Sequence, residues 1–271
     1  MHGVPAGRGY RDARRDVVAD VAAHQHFRDR LRRREPLLGC FGVELASPAV
    51  PHALAQAGFD ALIVDTEHSA FSLDQVLGLV TACQAAGLAA LVRVTDLSRS
   101  SVTRAADMWP DALMFPGIES ESQARAAVEL ARYAPLGRRG VCPMLRYGPL
   151  RNPYEALNDR LGLVLQVEGE AAVKEAAKIA GVPGVDCVFI GVYDLAQSLG
   201  IPGLIEDSSV LEAGRQVLAE LPTGVALGVY VSSATMAQTW KAVGATFLAY
   251  ATDALLLLAG CQAAAQAART G

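Results

Sequence analysis

The stretch GFDALIVDTEH, residues 58–68, joins an apolar run to two acidic residues and a histidine. Its apolar part, residues 61–65, is continuous rather than alternating, which is typical of a parallel strand buried on both faces. Seven further runs of the same kind occur along the chain, and together they predict eight short parallel strands. They are residues 37–43, 89–94, 112–116, 162–167, 185–191, 225–230 and 246–250.

Alanine-rich stretches of helical character separate these runs, and several begin with residues that favour helix amino termini. The starts are Ser47-Pro48, Ser72 with Gln75 three residues on, and Ser120 with Gln123 three residues on. Eight strand–helix units in about 235 residues predict a TIM (β/α)8 barrel. An open doubly wound sheet is the alternative, and the absence of a G-x-G-x-x-G turn counts against it.

Composition fits one barrel-sized domain: 271 residues, 52% hydrophobic, with a net charge of −4. We expect residues 1–35 to form an amino-terminal extension, partly disordered or helical, and residues 36–271 to form the barrel. The mild acidity excludes nucleic acid as the main partner, because no basic stripe is available to neutralise phosphates. One basic cluster, from Arg28 to Arg34, is interpreted as a solvated helix face or a flexible arm.

The five cysteines lie far apart and form no C-x-x-C pair, which is typical of free thiols in a reducing cytoplasm. The polar amino terminus lacks the apolar segment of a secretory signal. No uninterrupted apolar run reaches the roughly 18 residues that a membrane span needs. We therefore expect a cytoplasmic protein without a membrane partner.

The connection between the fourth and fifth runs is unusually long. A helix over about 120–132 is followed by roughly 28 residues before the next strand. Because long loops in compact barrels are usually functional, we expect this one near the carboxyl end of the barrel.

Polar residues at the strand ends are the candidates for chemistry. Glu168 and Asp194 follow neighbouring strands, and two carboxylates there predict a hard oxygen site for Mg²⁺ or Mn²⁺. The alternatives are that one of them is a salt-bridge partner, or that Asp194 only caps a short helix. The three lysines all fall on predicted helices, which excludes a Schiff-base mechanism.

His68 is the natural general base, and Asp65, three residues earlier, could hold its imidazole by a hydrogen bond. The alternative for His68 is a structural histidine. Arg93 lies inside an apolar strand, where an arginine is costly unless it is paired. It could pair with a protein carboxylate, or it could grip a substrate carboxylate and polarise a carbonyl, which we favour.

These residues, at this spacing, resemble the HpcH/HpaI aldolase family of metal-dependent, pyruvate-type aldolases, such as 4-hydroxy-2-oxoheptanedioate and 2-dehydro-3-deoxyglucarate aldolases. The resemblance covers about residues 36–260. It rests on several motifs in the family's order: GFDALIVDTEH, LVRV, YAPLGRRG, LQVE and FIGVYDLAQSLG.

The resemblance implies that Glu168 and Asp194 ligate a divalent metal, most often Mg²⁺, with Mn²⁺ or Co²⁺ as alternatives. The metal would chelate a 2-oxo acid through its carboxylate and keto oxygens. Arg93 would contact the keto oxygen, and His68, oriented by Asp65, would handle the proton.

The resemblance also implies contacts to the substrate carboxylate from Gln166 and from the backbone at Gly191 and Val192. Asp107 matches a family aspartate that can pair with the histidine of a neighbouring subunit. Family members are commonly trimers or hexamers that exchange the carboxyl-terminal helix, a role that residues 254–268 would fit.

The chain departs from the family pattern at two places. Val192-Tyr193 replaces the residues usual before the metal aspartate, and Tyr193 could narrow the pocket or add a hydroxyl contact. DMWPDALMFP, residues 107–116, replaces a form usually rich in glycine.

The favoured function is metal-dependent aldol cleavage or formation of a 4-hydroxy-2-oxo acid, from a 2-oxo acid and an aldehyde. An oxaloacetate decarboxylase, resembling macrophomate synthase in forming a carbon–carbon bond, would use the same site. A barrel that only binds, and a citrate-lyase-type enzyme acting on CoA thioesters, are further alternatives. The presence of all the candidate site residues argues against a barrel that only binds. The absence of a basic site for the CoA phosphates argues against the citrate-lyase-type enzyme.

Overall fold

A computed structural model describes residues 27–142 and 154–270. Eight parallel strands close into one barrel in the order β1 to β8, which confirms the predicted TIM (β/α)8 fold. The strands are β1 Leu37–Gly42, β2 Ala61–Asp65, β3 Ala89–Arg93, β4 Ala112–Phe115, β5 Gly162–Val167, β6 Cys187–Ile190, β7 Ala226–Val231 and β8 Phe247–Thr252.

Helices surround the barrel and connect consecutive strands. In chain order they are α1 Phe27–Arg32, α2 Ala49–Gln56, α3 Leu73–Ala86, α4 Arg99–Ala106, α5 Glu121–Ala131, α6 Tyr154–Arg160, α7 Glu170–Lys174, α8 Ala176–Ala180, α9 Val192–Ser198, α10 Ser208–Glu220, α11 Ala234–Val243 and α12 Asp253–Thr270.

The predicted helix starts match the structure. Ser72 and Gln75 form a reciprocal capping box at the start of α3. Ser120 accepts a hydrogen bond from the backbone N–H of Gln123 at the start of α5. Pro48 precedes α2 without a side-chain cap. The caps at Ser72 and Ser120 satisfy backbone N–H groups that would otherwise lack a partner, so they fix where α3 and α5 begin.

The interior of the barrel is packed with aromatic rings rather than hollow. Phe189 lies edge-on to Phe41 and to Phe247, with ring centroids 6.2 Å and 5.9 Å apart. All the strands are buried over most of their length, as continuous apolar runs require. The buried polar residues Asp65 and Arg93 lie at the carboxyl ends of β2 and β3, and the candidate site lies there.

The basic segment near the amino terminus is not a flexible arm, and it is a solvated helix face only in part, with Arg32 and Arg33 more than half exposed. Phe27 and Leu31 are buried in the core, four residues apart on one face of α1. Burial of this face brings Arg28 to the amino-terminal end of β6, where its Nε donates to both oxygens of Asp186 at 3.0 Å. Helix α1 therefore seals that end of the barrel. The expected extension over residues 1–26 lies outside the described residues.

The described parts of the long connection between α5 and β5 lie at the amino-terminal end of the barrel, not at the carboxyl end that we expected. Arg139 binds Asp107 just after α4, and Arg160 binds Asp111 just before β4, at 2.6 Å and 3.1 Å. The physical reason is that a connection following a helix must return to the start of the next strand. Residues 143–153 lie outside the described residues.

Helix α12 is 18 residues long and has only Asp253 buried. Its first turns expose three leucines, Leu255, Leu257 and Leu258, each about half exposed. Asp253 ties the helix to the barrel mouth, because its carboxylate accepts backbone N–H groups of the loop after β1. Across the described ranges, no helix is both long and apolar enough to cross a membrane.

Candidate active site

A buried ion pair joins the ends of β2 and β3. Asp65 and Arg93 are register partners on these strands, so their side chains meet at the carboxyl end of the barrel. The Nε and Nη2 atoms of Arg93 donate to the two oxygens of Asp65 at 2.9 Å and 2.6 Å. Asp65 is fully buried and Arg93 is only 8% exposed. This two-point contact fixes the plane of the guanidinium.

Glu67 lies between Arg93 and His68. Its Oε2 is 3.1 Å from Nη1 of Arg93 and 3.7 Å from Nε2 of His68. Burial raises the pKa of the Glu67 carboxyl, while Arg93 opposes that shift. We had assigned no role to Glu67 from the sequence, although its place inside the D-x-E-H stretch was an available signal.

The structure gives Asp65 a different partner from the imidazole that we expected. Its Oδ1 accepts the backbone N–H of Glu67 at 2.9 Å and that of His68 at 3.4 Å. Because Arg93 also occupies both oxygens, Asp65 positions the backbone at residue 68 rather than the ring. The His68 side chain is 66% exposed, so it is not part of the packed core.

Glu168 follows β5 and carries the clearest electrostatic signal of the site. Its Oε1 accepts the backbone N–H of Gly117 at 2.7 Å, and its Oε2 accepts Nε2 of Gln166 at 2.6 Å. Burial raises its pKa to about 7, and the negative charges of Asp194 and Glu67 add to that rise. A carboxyl surrounded by further carboxylates is a position where a cation is favourable.

Asp194 lies in the first turn of α9, whose start touches Glu168. Gly191 is the N-cap of this helix, so Asp194 does not cap it as the alternative reading proposed. A Cβ added at Gly191 would lie 2.5 Å from Oε2 of Glu168 and 2.8 Å from Nε2 of Gln166. Only glycine allows this approach, and it brings the start of α9 against the Glu168 side chain.

Two of the expected contacts to a substrate carboxylate are already used inside the protein. The N–H of Gly191 donates to the carbonyl of Val167 at 3.1 Å. The Nε2 of Gln166 donates to Glu168, while its buried Oε1 has no hydrogen-bond partner. Val192 is the first residue of α9, so its amide lies at the same helix start.

An aromatic row crosses the other half of the barrel mouth. The Arg93 guanidinium lies 5.0 Å from the ring centroid of Phe41. Tyr230, near the end of β7, follows at 6.2 Å from Phe41, and Tyr193 lies 5.6 Å beyond Tyr230. Tyr193 is 52% exposed, whereas Tyr230 is buried. Sequence reasoning identified Tyr193 but missed Tyr230, although an aromatic residue at the end of the VALGVY run was a signal.

Asp107 lies away from the mouth of its own barrel. It follows α4 and accepts a hydrogen bond from Nη2 of Arg139 at 2.6 Å. Within one chain, therefore, the structure does not bring Asp107 to His68. The adjoining DMWPD turn places Trp109 in the left-handed region, with φ 64°, within the segment that is usually rich in glycine in the family.

The donor set at the mouth suits a divalent cation bound partly by water and substrate. Glu168 and Asp194 offer carboxylate oxygens, which Mg²⁺ and Mn²⁺ prefer. In the part of the chain that the structure describes, no group of three or more His, Cys, Asp and Glu side chains could hold an ion. If Glu168 and Asp194 hold a cation, its remaining ligands would be water and substrate oxygens.

Comparisons with known proteins agree with this architecture. Residues 38–259 match the family model described as HpcH/HpaI aldolase/citrate lyase. The hydroxypyruvate/pyruvate aldolase of Paraburkholderia phytofirmans is 35% identical over 253 residues, covering 90% of this chain and 97% of that protein. A crystal structure of an HpcH/HpaI aldolase/citrate lyase family protein from Burkholderia cenocepacia superimposes with a TM-score of 0.83 at 36% identity. It covers 89% of this chain and 98% of that one.

A more distant likeness concerns the alternative function. The crystal structure of macrophomate synthase matches with a TM-score of 0.77 at 21% identity, covering 90% of each chain. A likeness at this level of identity shows the shared fold and carries no conclusion about activity.

The closed barrel, with carboxylates, an arginine and a histidine at the carboxyl ends of its strands, defines a (β/α)8-barrel enzyme. The match over residues 38–259 makes the assignment more specific. The chain belongs to the HpcH/HpaI aldolase/citrate lyase family, and it is a carbon–carbon lyase.

Proposed function

We propose that this enzyme cleaves and forms 4-hydroxy-2-oxo acids, with pyruvate or hydroxypyruvate as the 2-oxo acid product and an aldehyde as the other. The observation that carries the proposal is the convergence of Glu168, Asp194 and Arg93 at one end of the barrel. The similarity to the hydroxypyruvate/pyruvate aldolase of Paraburkholderia phytofirmans supports this choice of 2-oxo acids. The oxaloacetate alternative has no comparable support.

Glu168 and Asp194 are the residues that would hold the divalent cation, Mg²⁺ first and Mn²⁺ or Co²⁺ as alternatives. A bound cation would supply positive charge beside the keto oxygen of the 2-oxo acid. The hydrogen bonds from Gly117 and Gln166 fix the orientation of the Glu168 carboxylate. With the Glu168 carboxylate fixed in this way, Asp194 would supply the second carboxylate ligand from the first turn of α9.

Arg93 supplies a second positive charge at the mouth. Asp65 holds its Nε and Nη2, so Nη1 is the nitrogen that faces Glu67 and the mouth. A guanidinium fixed in this way can stabilise negative charge that develops on the substrate keto oxygen, without reorganising during the reaction. Asp65 would therefore affect the reaction indirectly, because it holds the Arg93 guanidinium in place.

His68 is the residue that moves the proton. In the cleavage direction the C4 hydroxyl loses its proton, the C3–C4 bond breaks, and C4 becomes the aldehyde carbon. The carbon C3 then takes up a proton to give the 2-oxo acid. The exposed Nε2 of His68, beside Glu67, can accept the first proton and return it.

We further propose a homo-oligomer, trimer or hexamer, in the cytoplasm. The half-exposed leucines of α12 support a second copy as the occupant of that helix face. Asp107, which binds Arg139 and lies away from its own His68, would then pair with the histidine of a neighbouring subunit. The free cysteines of the described residues are compatible with a reducing compartment.

Aldol synthesis with controlled metal content tests the proposal. The purified protein is stripped of metal, then incubated with pyruvate or hydroxypyruvate and glycolaldehyde, with and without Mg²⁺ or Mn²⁺. We expect a 4-hydroxy-2-oxo acid product, seen by mass spectrometry, only when metal is added back. Equal product after verified metal removal would contradict the metal-dependent mechanism.

A further inference from the structure

The mouth of the barrel carries a pair of tyrosines that the chemistry of the 2-oxo acid does not use. Tyr193 precedes Asp194 directly, and it comes two residues after Gly191, which contacts Glu168. Tyr193 is 52% exposed in spite of its large ring, so it lies open to whatever enters the mouth. An exposed aromatic side chain beside a reacting centre is well placed to contact a ligand.

Tyr230 holds Tyr193 in place. The two ring centroids are 5.6 Å apart, with the ring planes inclined at 52°. Burial raises the pKa of Tyr230 to about 12, and the neighbouring Tyr193 adds to the rise. Tyr230 is buried in the barrel, so it forms a fixed surface on which the half-exposed Tyr193 ring rests.

The position of the two tyrosines indicates which of the two reactants they would contact. The 2-oxo acid would be fixed by Glu168, Asp194 and Arg93. The row from Phe41 through Tyr230 to Tyr193 extends away from Arg93 across the mouth. The second reactant, the aldehyde, is the component that would meet this row.

We propose that Tyr193 is a specificity-determining residue for the aldehyde, and that Tyr230 is its positioning residue. This inference rests on the proposed aldolase function and names the class of its second substrate. An exposed aromatic face that carries a hydroxyl suits a short, hydroxylated aldehyde, whose C–H groups pack on the ring and whose hydroxyl can accept a hydrogen bond from Tyr193.

A matched pair of aldehydes tests this directly. Glyceraldehyde and pentanal have the same number of heavy atoms, but only glyceraldehyde carries hydroxyl groups beyond the carbonyl. We expect the unmodified enzyme to show a higher kcat/KM for glyceraldehyde than for pentanal or for succinic semialdehyde. Preference for either of the other two aldehydes would overturn the inference.

Tyrosine-to-phenylalanine variants then test whether Tyr193 causes the preference for glyceraldehyde. Tyr193→Phe should lower the ratio of kcat/KM for glyceraldehyde over pentanal by about five- to tenfold, the loss of one hydrogen bond. Tyr230→Phe should raise the KM for glyceraldehyde more than it lowers kcat, because it acts only through Tyr193. Tyr154→Phe is the control, since that ring packs against Tyr133 at the other end of the barrel. An unchanged ratio in Tyr193→Phe, or an equal change in Tyr154→Phe, would overturn the inference.

Hydrogen–deuterium exchange of pyruvate alone separates the two proposals. It needs no aldehyde, so it reports on the proposed function without involving the tyrosine pair. Metal-dependent exchange together with no preference among the aldehydes would overturn the specificity inference alone. Absence of exchange in the unmodified enzyme would overturn the proposed function, and this inference with it.

Discussion

The guanidinium of Arg93 binds both carboxylate oxygens of Asp65, at 2.9 Å and 2.6 Å, in the buried mouth of the barrel. This pair joins neighbouring strands and also determines that Nη1 of Arg93 faces Glu67 and the mouth of the barrel. It therefore links the stability of the barrel to the geometry of the site.

Asp65→Asn should destabilise the protein strongly, because it removes the buried carboxylate that binds Arg93 at two points and leaves only the partly exposed Glu67 to balance the charge. We expect the free energy of unfolding to fall by about 3–5 kcal/mol, measured by urea denaturation. Glu121→Gln is the control, since its 2.6 Å pair with Arg125 lies on the surface. That control should change the free energy of unfolding by about 0.5 kcal/mol or less. Similar losses in both variants would contradict a special role for the buried pair.

Gly191→Ala should weaken metal binding without a general loss of fold. The added Cβ would lie 2.5 Å from Oε2 of Glu168, so that carboxylate must move. We expect a clear rise in the Kd for Mn²⁺, measured by electron paramagnetic resonance. Gly78→Ala, in helix α3 where a Cβ meets nothing within 4 Å, should leave the Kd unchanged. A normal Kd in Gly191→Ala would place the cation elsewhere.

Metal affinity should increase with pH up to neutrality. The pKa of Glu168 is raised to about 7, so below that pH the metal-free carboxyl holds a proton that the cation must displace. With one proton released, the Kd for Mn²⁺ should fall about tenfold for each pH unit below 7, and then level off. Isothermal titration calorimetry between pH 5.5 and 8.5 measures this slope. A Kd that does not vary over this range would show that Glu168 binds no proton where the cation binds.

Charged residues on α12 should break the oligomer. Leu257→Glu combined with Leu258→Glu places two charges on the exposed apolar face of this helix. We expect the particle mass from light scattering to fall to that of a single chain of 28.5 kDa. Leu204→Glu, at another exposed leucine that is not on α12, serves as the control. An unchanged mass in the α12 variant would mean that this face does not join subunits.

The fold could be predicted because its signals are local. Each strand is a continuous apolar run, and the helix starts at Ser72 and Ser120 carry their own caps. Docking of α1 escaped prediction because its partner, Asp186, is far away in sequence. We misplaced the long connection because we considered its length and not its position in the chain. It follows a helix, so it returns to the amino-terminal end of the barrel, whereas a connection that follows a strand lies at the carboxyl end.

The sequence indicated candidate residues for the site but not their contacts. Acidic residues at strand ends pointed to Asp65, Glu168 and Asp194, and the structure places all three at the carboxyl end of the barrel. The partner of Asp65, however, depends on its register with Arg93 across two strands, which no spacing within one stretch reveals. Tyr230 was missed for the same reason. Its contact with Tyr193 joins two separate elements, β7 and α9, which no spacing within one stretch reveals.

Proton NMR of pyruvate in D₂O tests the central claim most directly. The account predicts that the methyl signal disappears with the enzyme and Mg²⁺ or Mn²⁺, and persists without metal. Glu168→Gln and Asp194→Asn should abolish this exchange while circular dichroism shows an intact fold. Full exchange in either variant, or exchange that survives verified metal removal, would contradict the account.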